Sequence, residues 1–353
     1  MARCGLGYLR IHSAKIRNFR CFKEFSIENS KRFNVIVGDN GSGKTALLEA
    51  FSLALASSPA IALRYRALRG LELAFSGPLY LVEEAIWRGL FYQRQWENPL
   101  SITLYGEGRE NRSVTVSRGA QTEVPYGKAA EASGSVGIKF SWKNAANQYR
   151  TYIAKVSQTG ITFGDTEEEH LPDYFYFPAN QTVPAYENAI RFSELSRDGR
   201  IPEILEAIRQ QYEHIENLTI EIDGGLPTIY ATLKGGERLP LAYISSGINR
   251  VISIMLSIAA RENPVVLIDE IEDGIYFKRQ RKIWEELTAF TRRRNGQLFL
   301  TTHSQEWVET VFESHNVDDI ALWRLEMTDQ GPQLRQFSGK QISVAVRSLG
   351  EVR

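Results

Sequence analysis

The sequence contains few cysteines and no long hydrophobic run. Only Cys4 and Cys21 occur in 353 residues, both near one end. They give neither a disulfide framework nor zinc-ligand spacing, so we expect a reducing cytoplasmic environment. The first residues lack the apolar core of a signal peptide, and the most apolar segment, VISIMLSIAA, is too short to cross a bilayer. These features argue against a disulfide-rich secreted protein and against a membrane protein.

The chain also lacks net charge, because 42 Lys and Arg residues balance 42 Asp and Glu residues. No global positive field therefore attracts it to nucleic acid or to an anionic membrane, and any such contact must come from a local patch. Sustained heptads are absent as well, which excludes long coiled-coil arms. With 43% hydrophobic and 24% charged residues, the composition is that of a globular protein.

Short apolar strands alternate with helices at both ends of the chain. The predicted buried strands are RFNVIVG, DYFYFPANQ, PVVLIDE and GQLFLTTHS. Helices are predicted at about 45–56 and 277–294, and this alternation favours a parallel sheet covered by helices. From about 99 to 170, short β-prone runs separated by Gly, Asn and Ser indicate antiparallel hairpins.

We therefore predict an α/β fold with an insertion. Residues 1–56 and 171–353 form the main domain, and residues 57–170 form an inserted helical and β-hairpin subdomain.

A glycine-rich segment between a predicted strand and a predicted helix carries a complete phosphate-binding pattern. It reads Gly38-Asp39-Asn40-Gly41-Ser42-Gly43-Lys44-Thr45. Its glycines let the backbone curl so that successive N–H groups face a phosphate, aided by the positive end of the following helix. Lys44 is expected to reach the β- and γ-phosphates as a catalytic residue, and the Thr45 hydroxyl to bind Mg²⁺. The pattern predicts ATP and Mg²⁺ as cofactors.

Acidic and imidazole side chains end two further predicted strands. Asp269 and Glu270 follow the run VVLI, at the strand end where ligands bind in open α/β sheets. We expect Asp269 to hold Mg²⁺ and Glu270 to orient or deprotonate the attacking water. His303 ends the next buried strand. A lone histidine is more often structural, but this position favours a catalytic role.

In this order, the motifs resemble the ABC-type ATPase head of the SMC-like branch. The phosphate-binding segment (Walker A) is followed by ISSGINR, by VVLIDE (Walker B) and by TTHS. KIRNFRCF, SSGINR and DEIEDGIY most resemble the single-chain bacterial ATPases related to the OLD family. The resemblance covers both ends of the chain but not residues 57–170. It implies a P-loop NTPase fold of the ABC-ATPase head type, with a mixed sheet flanked by helices.

The resemblance also implies further site residues. Ser245 and Gly247 would form a signature that closes over the γ-phosphate bound to a second copy of the chain, although SSG before an apolar run also suits a helix cap. Gln181 would be the ligand of Mg²⁺ and water in the loop after its strand, the Q-loop. Arg20 would reach the nucleotide from the N-terminal strands.

The sequence departs from the family pattern at two positions. Ile248 stands where many such heads carry Gln or Glu, and Tyr276 stands where an aspartate is expected in the segment after Walker B, the D-loop. Communication between two sites across a dimer would then differ from that in transporter heads.

The basic residues of the helix at 277–294 lie beside an apolar stripe, which favours a solvated face over a nucleic-acid contact.

These expectations converge on an ATPase whose assembly depends on ATP. Heads of this kind hydrolyse ATP between two copies, so we expect a homodimer or a higher homo-oligomer. After His303 only some fifty residues remain, which is short of a Toprim nuclease domain of about 100 residues. We therefore expect a separate effector, a nuclease or a toxin, under the control of a Mg²⁺-dependent switch ATPase in bacterial anti-phage defence.

Two other functions stay open on the same residues. A RecF-like DNA-repair ATPase would need a basic face across the dimer, which the net charge does not support. The ATP-binding subunit of a transporter is disfavoured by NFRCF and by Ile248, and we expect no membrane partner.

Overall fold

The computed structural model describes residues 10–71, 78–106, 111–119, 137–144, 147–157, 160–163, 174–313, 317–337 and 341. The strands are β1 Ser13–Phe19, β2 Phe22–Ile27, β3 Phe33–Val37, β4 Leu100–Tyr105, β5 Asn111–Arg118, β6 Ile138–Lys143, β7 Tyr149–Ser157, β8 Gly160–Phe163, β9 Tyr174–Phe177, β10 Ile215–Asp223, β11 Leu226–Leu233, β12 Arg238–Pro240, β13 Val265–Ile268, β14 Gln297–Thr302, β15 Ile320–Thr328 and β16 Gly331–Phe337. The helices are α1 Lys44–Leu55, α2 Ala60–Leu68, α3 Leu79–Trp87, α4 Ala185–Arg197, α5 Ile201–Gln211, α6 Leu241–Ile244, α7 Ser246–Ala260, α8 Gln280–Arg293 and α9 Gln305–Glu313.

The described residues form two compact units. The first lies within 1–30, 41–172 and 325–334, and the second within 31–40, 173–324 and 335–353. Strands β1 and β2 and helix α1 thus group with the hairpin strands. The assignment of 57–170 as a separate insertion stays a prediction, and its end at 164–170 lies outside the described residues.

The first unit is built on an antiparallel sheet with the order β2-β1-β4-β5-β6-β7-β8. Along β4, buried and half-buried residues alternate, as expected for a sheet with one face on a core. Helix α1 contacts this sheet, since the Trp142 indole donates to the Leu53 carbonyl at 2.9 Å and Arg112 donates to the Ala56 carbonyl at 3.2 Å. The hairpins predicted from 99 onward are confirmed where the structure describes them.

A second sheet has six strands in the order β16-β15-β3-β14-β13-β9, of which β3, β14, β13 and β9 lie wholly in the second unit. Strands β9, β13, β14, β3 and β15 run parallel. Every residue of β3, β13 and β14 is buried, as expected for strands covered on both faces. The mixed-sheet α/β fold of a P-loop ATPase head is therefore confirmed. Because parallel strands share one carboxyl edge, the segments after β3, β13, β14 and β9 all start there.

Helices α7 and α8 pack in the core of the second unit. The residues of α7 from Gly247 to Ala259 are all buried, and Trp284 of α8 meets Phe33 edge-on at 5.5 Å between ring centroids. The helix predicted at 277–294 starts as a 3₁₀ turn at Phe277–Arg279 before α8. The sequence also predicts a hairpin across Gly224 and Gly225, and the pairing of β10 with β11 confirms it. Within the described residues, no helix combines the length and the apolar character that a bilayer crossing requires.

Candidate functional site

The glycine-rich loop leaves β3 at the carboxyl edge and runs into α1. Gly41 and Gly43 have φ angles of 81° and 105°, in the left-handed region that glycine adopts without strain. At Gly43 a Cβ would also lie 3.0 Å from the Cys21 Sγ atom. Ser42 is buried, and its hydroxyl is without a hydrogen-bond partner in the described structure. A curled backbone with an unsatisfied buried hydroxyl, followed by the first turn of a helix, fits a bound phosphate.

The two acids after β13 differ in their surroundings. Asp269 is buried, and its Oδ1 atom accepts a hydrogen bond of 2.6 Å from the Thr301 hydroxyl. The same hydroxyl accepts the backbone N–H of Glu270 at 2.8 Å. Thr301 belongs to β14, which pairs with β13. One side chain of the neighbouring strand therefore fixes both acidic residues.

Glu270 has an unusual backbone conformation that other residues hold in place. Its φ of 48° lies in the left-handed region, which for a residue with a side chain costs about 1–3 kcal/mol. Arg250 of α7 donates to the carbonyls of Asp269 at 2.5 Å and of Glu270 at 3.3 Å. The Glu270 carboxylate remains partly exposed. Arg250 thus helps to hold Glu270 in this backbone conformation.

Arg250 also joins the segments after β9 and β13. Its guanidinium, only 4% exposed, donates to the Pro178 carbonyl at 2.7 Å and to the Gln181 carbonyl at 3.4 Å. Desolvation lowers the pKa of Arg250, and the nearby carboxylates, led by Asp273, oppose that effect. Asp273 in turn accepts the Asn180 N–H at 2.7 Å. The loop that holds the proposed Q-loop residue Gln181 is thus fastened to the segment after β13.

His303 lies beside two glutamates at the end of β14. Its Nδ1 atom is 3.0 Å from the Glu272 carboxylate and 3.8 Å from the Glu270 carboxylate, and its side chain is 54% exposed. Glu272 also accepts the backbone N–H groups of His303 at 2.8 Å and of Ser304 at 3.2 Å. Glu272 therefore orients the imidazole, with Glu270 next to it.

The signature segment packs directly on the segment after β13. A Cβ at Gly247 would lie 1.8 Å from the Gly274 carbonyl oxygen, so only glycine fits at this contact. Ser245 is the N-cap residue of α7, yet its side chain makes no capping hydrogen bond. It is half-buried and thus accessible at the start of the helix. The capping role left open for Ser245 is not what its hydroxyl does in this structure.

The other predicted residues, Lys44, Thr45 and Arg20, differ in their burial and in their contacts. Lys44 is buried at the start of α1, and Thr45 is exposed. Arg20 donates from Nε to the buried Glu49 carboxylate at 3.2 Å and from Nη1 to the Gly89 carbonyl. A nucleotide contact of Arg20 stays a prediction.

The acidic residue after β13 suits Mg²⁺ better than a metal held by protein alone. Among the described residues, no three His, Cys, Asp or Glu side chains form a metal cage. Mg²⁺ is commonly bound by one or two carboxylates plus waters and substrate phosphates. A buried, hydrogen-bonded carboxylate such as Asp269 fits this chemistry, and the roles of Thr45 and Gln181 as further ligands stay predictions.

Sequence reasoning missed Arg250, Thr301, Glu272 and Asp273, although two of them carry a signal. Arg250 stands inside the apolar run INRVISIMLSIAA, where a buried charge requires polar partners. Glu272 follows the predicted acids by two residues. Thr301 has no such signal, since a threonine is ordinary in a strand.

Replacing Thr301 by Val tests the hydroxyl that fixes both acids. Val keeps the shape but leaves the partly buried Glu270 N–H unpaired, which we expect to lower the free energy of unfolding by about 1–3 kcal/mol. Loss of the hydrogen bond to Asp269 should lower the ATPase rate about 10-fold. Urea denaturation and phosphate-release assays measure the two effects. Thr301→Ser is the control that retains the hydroxyl, and equal rates for both variants would contradict the proposed role.

Comparisons with known proteins show which families and proteins this chain is similar to. A family model described as "AAA domain" matches residues 13–224, and one described as "AAA domain, putative AbiEii toxin, Type IV TA system" matches residues 162–309. An ATP/GTP phosphatase of Helicobacter pylori is 23% identical over 368 residues, covering 94% of this chain and 96% of that protein. The DNA replication and repair protein RecF of Idiomarina loihiensis is 49% identical over 43 residues, which is 12% of each chain. A Smc head domain with an extended coiled coil from Pyrococcus furiosus, bound to the C-terminal domain of ScpA, is 11% identical with a TM-score of 0.48 and covers 97% of this chain and 99% of that one.

Proposed function

The chain belongs to the AAA domain family of P-loop ATPases, and on that premise we propose that it hydrolyses ATP as a dimer that switches a separate effector. The observation that carries the proposal is the group at the ends of β13 and β14. There, Glu270 and His303 lie 3.8 Å apart beside the buried Asp269. Likeness to the phosphatase over 94% of the chain supports nucleotide hydrolysis and makes GTP a second substrate to test.

In the proposed reaction, each group has a distinct task. The P-loop N–H groups and Lys44 hold the phosphates and neutralise their charge. Asp269, Thr45 and Gln181 would hold Mg²⁺, which would supply further charge neutralisation. Glu270 accepts a proton from the attacking water, and His303, whose Nδ1 atom is held by Glu272, donates a hydrogen bond from Nε2 toward the terminal phosphate in its doubly protonated form. Such positioning and charge stabilisation account for most of the catalysis in phosphoryl transfer.

Ser245 supports the proposed dimeric state. Its hydroxyl is not used as a helix cap, it is half-buried, and it stands at the positive end of the 15-residue helix α7. A hydroxyl at such a helix end suits an anion. We assign it to the γ-phosphate bound by a second copy, so that ATP joins two chains and hydrolysis releases them. Exposed aromatic side chains at Tyr243, Tyr276 and Phe277 flank the segments that would meet the partner.

The biological part of the proposal is a cytoplasmic defence switch. The match to an AAA domain described with a putative AbiEii toxin supports a role in such systems. The motifs KIRNFRCF and DEIEDGIY support a place near the OLD-related ATPases. In this proposal, the ATP-bound dimer and the free monomer present different surfaces to a nuclease or toxin, which reads the assembly state.

Replacing Lys44 by Ala tests the nucleotide site. Removing the ammonium group should weaken ATP binding at least about 100-fold, because charge-assisted contacts to phosphate are the strongest in such a loop. Isothermal titration calorimetry with ATP and with GTP measures the affinity. Lys31→Ala, at an exposed lysine before β3, is the matched control. Unchanged affinity in Lys44→Ala would reject the P-loop assignment.

A DNA-repair ATPase is the second candidate, favoured by the 43-residue match to RecF. It would show ATPase activity that rises with DNA and falls steeply with salt. The arginines at the two ends of α8 argue against it, because protein groups already engage them. The partners are Tyr212 for Arg279, Asp319 for Arg292, Glu203 for Arg293 and Glu262 for Arg294. ATPase assays with and without DNA at two salt concentrations separate the candidates.

A further inference from the structure

The strands of the seven-stranded sheet in the first unit are poor in negative charge. They contain nine Lys and Arg residues and a single acidic residue, Glu24. The whole chain has 42 residues of each sign, so these strands depart from its overall composition. The inner face of the sheet contacts α1 through Trp142 and Arg112. Residues that alternate with these two lie on the outer face.

The strand register arranges the outer face in rows of hydroxyl groups and cations. The members of one row are Lys15, Thr103, Ser113, Lys143 and Tyr149. The next row begins at Arg17 and continues with four Ser and Thr residues, one from each of β4, β5, β6 and β7. Four lysines lie on this face, namely Lys15, Lys139, Lys143 and Lys155.

The charges of these four lysines are not compensated within the part of the chain that the structure describes. Arg17 pairs with Glu24 at 2.9 Å, whereas none of the four lysines forms an ion pair there. Lys143 lies over the Tyr149 ring, with 5.8 Å between Nζ and the ring centroid. The other three are exposed. A local cationic surface of this kind attracts a polyanion even though the chain has no net charge.

The side chains of this face suit nucleic acid better than a protein partner. The centre of a protein interface is rich in apolar and aromatic residues and poor in Lys and Ser. Here the exposed apolar side chains are Tyr149 and Ile153, both on β7. Lys and hydroxyl side chains are common ligands of DNA phosphates. Single strands are held by stacking on several aromatic rings, so a face with one exposed ring among its described residues favours a duplex.

We propose that the outer face of this sheet binds the phosphate backbone of duplex DNA without sequence preference. Lys15 and Lys143 stand in one row, three strands apart, which corresponds to about 14 Å at about 4.8 Å per strand. The major groove of B-form DNA is about 12 Å wide, so the two lysines can contact the backbones on either side of it. This surface includes no residue of α8, and the inference does not rest on ATP hydrolysis or on the dimer.

Fluorescence anisotropy with the full chain and a labelled DNA duplex tests the proposal. We expect Lys139→Gln, Lys143→Gln and Lys155→Gln, combined in one variant, to weaken DNA binding about 10-fold or more. Each phosphate contact contributes about 0.9 to the slope of log K against log salt concentration, so the slope should fall by about 2–3. Urea denaturation checks that the variant is folded, since exposed lysines contribute little to stability.

The matched control combines Lys31→Gln, Lys234→Gln and Lys282→Gln. These lysines are exposed in the second unit, and their loss changes the net charge by the same amount. The control should keep the affinity and the salt slope of the wild type. An equal loss in both variants would mean that only net charge matters and would overturn the proposal.

The remaining arms compare other polyanions. The sequence DTEEE at 165–169 follows β8 and lies outside the described residues, so the intact chain is used in every arm. Tighter binding of an RNA duplex of the same sequence, or of vesicles of anionic phospholipid, would assign the face to a different partner and overturn the proposal. So would absence of DNA binding. ATPase activity measured without DNA is independent of these outcomes, so the proposed function and this inference can fail separately.

Discussion

A Glu270→Gln variant is expected to bind ATP, to lose most of its ATPase activity and to accumulate as a dimer. The change keeps the size of the side chain but removes the group that accepts a proton from water. General-base catalysis contributes about 100- to 10,000-fold, so the rate of phosphate release should fall within that range. Lys44 and the P-loop backbone are unchanged, so the affinity for ATP should stay close to that of the wild type.

The dimer should persist because hydrolysis is the step that ends it. Contacts made only in the closed state favour dimerisation while the γ-phosphate is present. When hydrolysis is blocked, these contacts remain, and light scattering coupled to size exclusion should show twice the monomer mass with ATP and Mg²⁺. The wild type should show this species only briefly.

Glu285→Gln is the matched control for this variant. Glu285 pairs with Arg281 on the exposed side of α8, and such surface pairs contribute little to stability. Its activity should equal that of the wild type. If Glu270→Gln hydrolyses ATP within a few-fold of this control, Glu270 is not the base. If it stays monomeric with ATP and Mg²⁺, the proposed dimer is wrong, whatever the rate.

The sequence predicted the sheet edge because motif order and strand order carry that information. Buried runs followed by Asp269 and by His303 predict parallel strands with polar side chains at one edge, and the structure places them there. What the sequence could not reveal is the set of contacts that holds these residues. The left-handed backbone of Glu270 is supported by Arg250 of α7, and that contact depends on tertiary packing, which no local pattern encodes.

Arg20 shows a second limit of what can be predicted from the sequence. Its motif gives the residue type and its place in the chain, but the direction of a long side chain depends on which charges are nearby. Glu49 lies on the buried face of α1, where an unpaired carboxylate would be costly, and Arg20 and Arg69 both contact it. The direction of the Arg20 guanidinium in this structure is therefore determined by the buried Glu49 carboxylate, whose position depends on tertiary packing.

A Gly247→Ala variant is expected to lose dimerisation and ATPase activity while it still binds ATP. The added Cβ would lie 1.8 Å from the Gly274 oxygen and 2.6 Å from its carbonyl carbon. Both distances are much shorter than a van der Waals contact. Neither backbone yields easily. Gly247 lies in the first turn of the buried helix α7. The segment that contains Gly274 is held by a hydrogen bond of 3.0 Å from the Asp273 N–H to the Glu270 carbonyl. The signature and the segment after β13 must therefore separate.

This separation should affect catalysis far more than folding. A shift of about 1 Å in a catalytic group can cost about 100-fold in rate, and we expect a loss of that size in phosphate release, with no dimer in light scattering. Overpacking should lower the free energy of unfolding by only about 1–3 kcal/mol. ATP affinity, measured by calorimetry, should change little, because Gly247 is not part of the P-loop of its own chain.

Gly225→Ala separates this effect from simple destabilisation. Gly225 lies at the tip of the β10–β11 hairpin with a φ of 87°, and a Cβ there meets nothing within 4 Å. Alanine in that backbone conformation costs about 1–2 kcal/mol, similar to the loss expected for Gly247→Ala. The control should nevertheless keep wild-type ATPase activity. Equal activity in the two variants would mean that contact between the signature and the segment after β13 has no part in catalysis. It would also contradict the proposal that Gly247 couples hydrolysis to dimerisation.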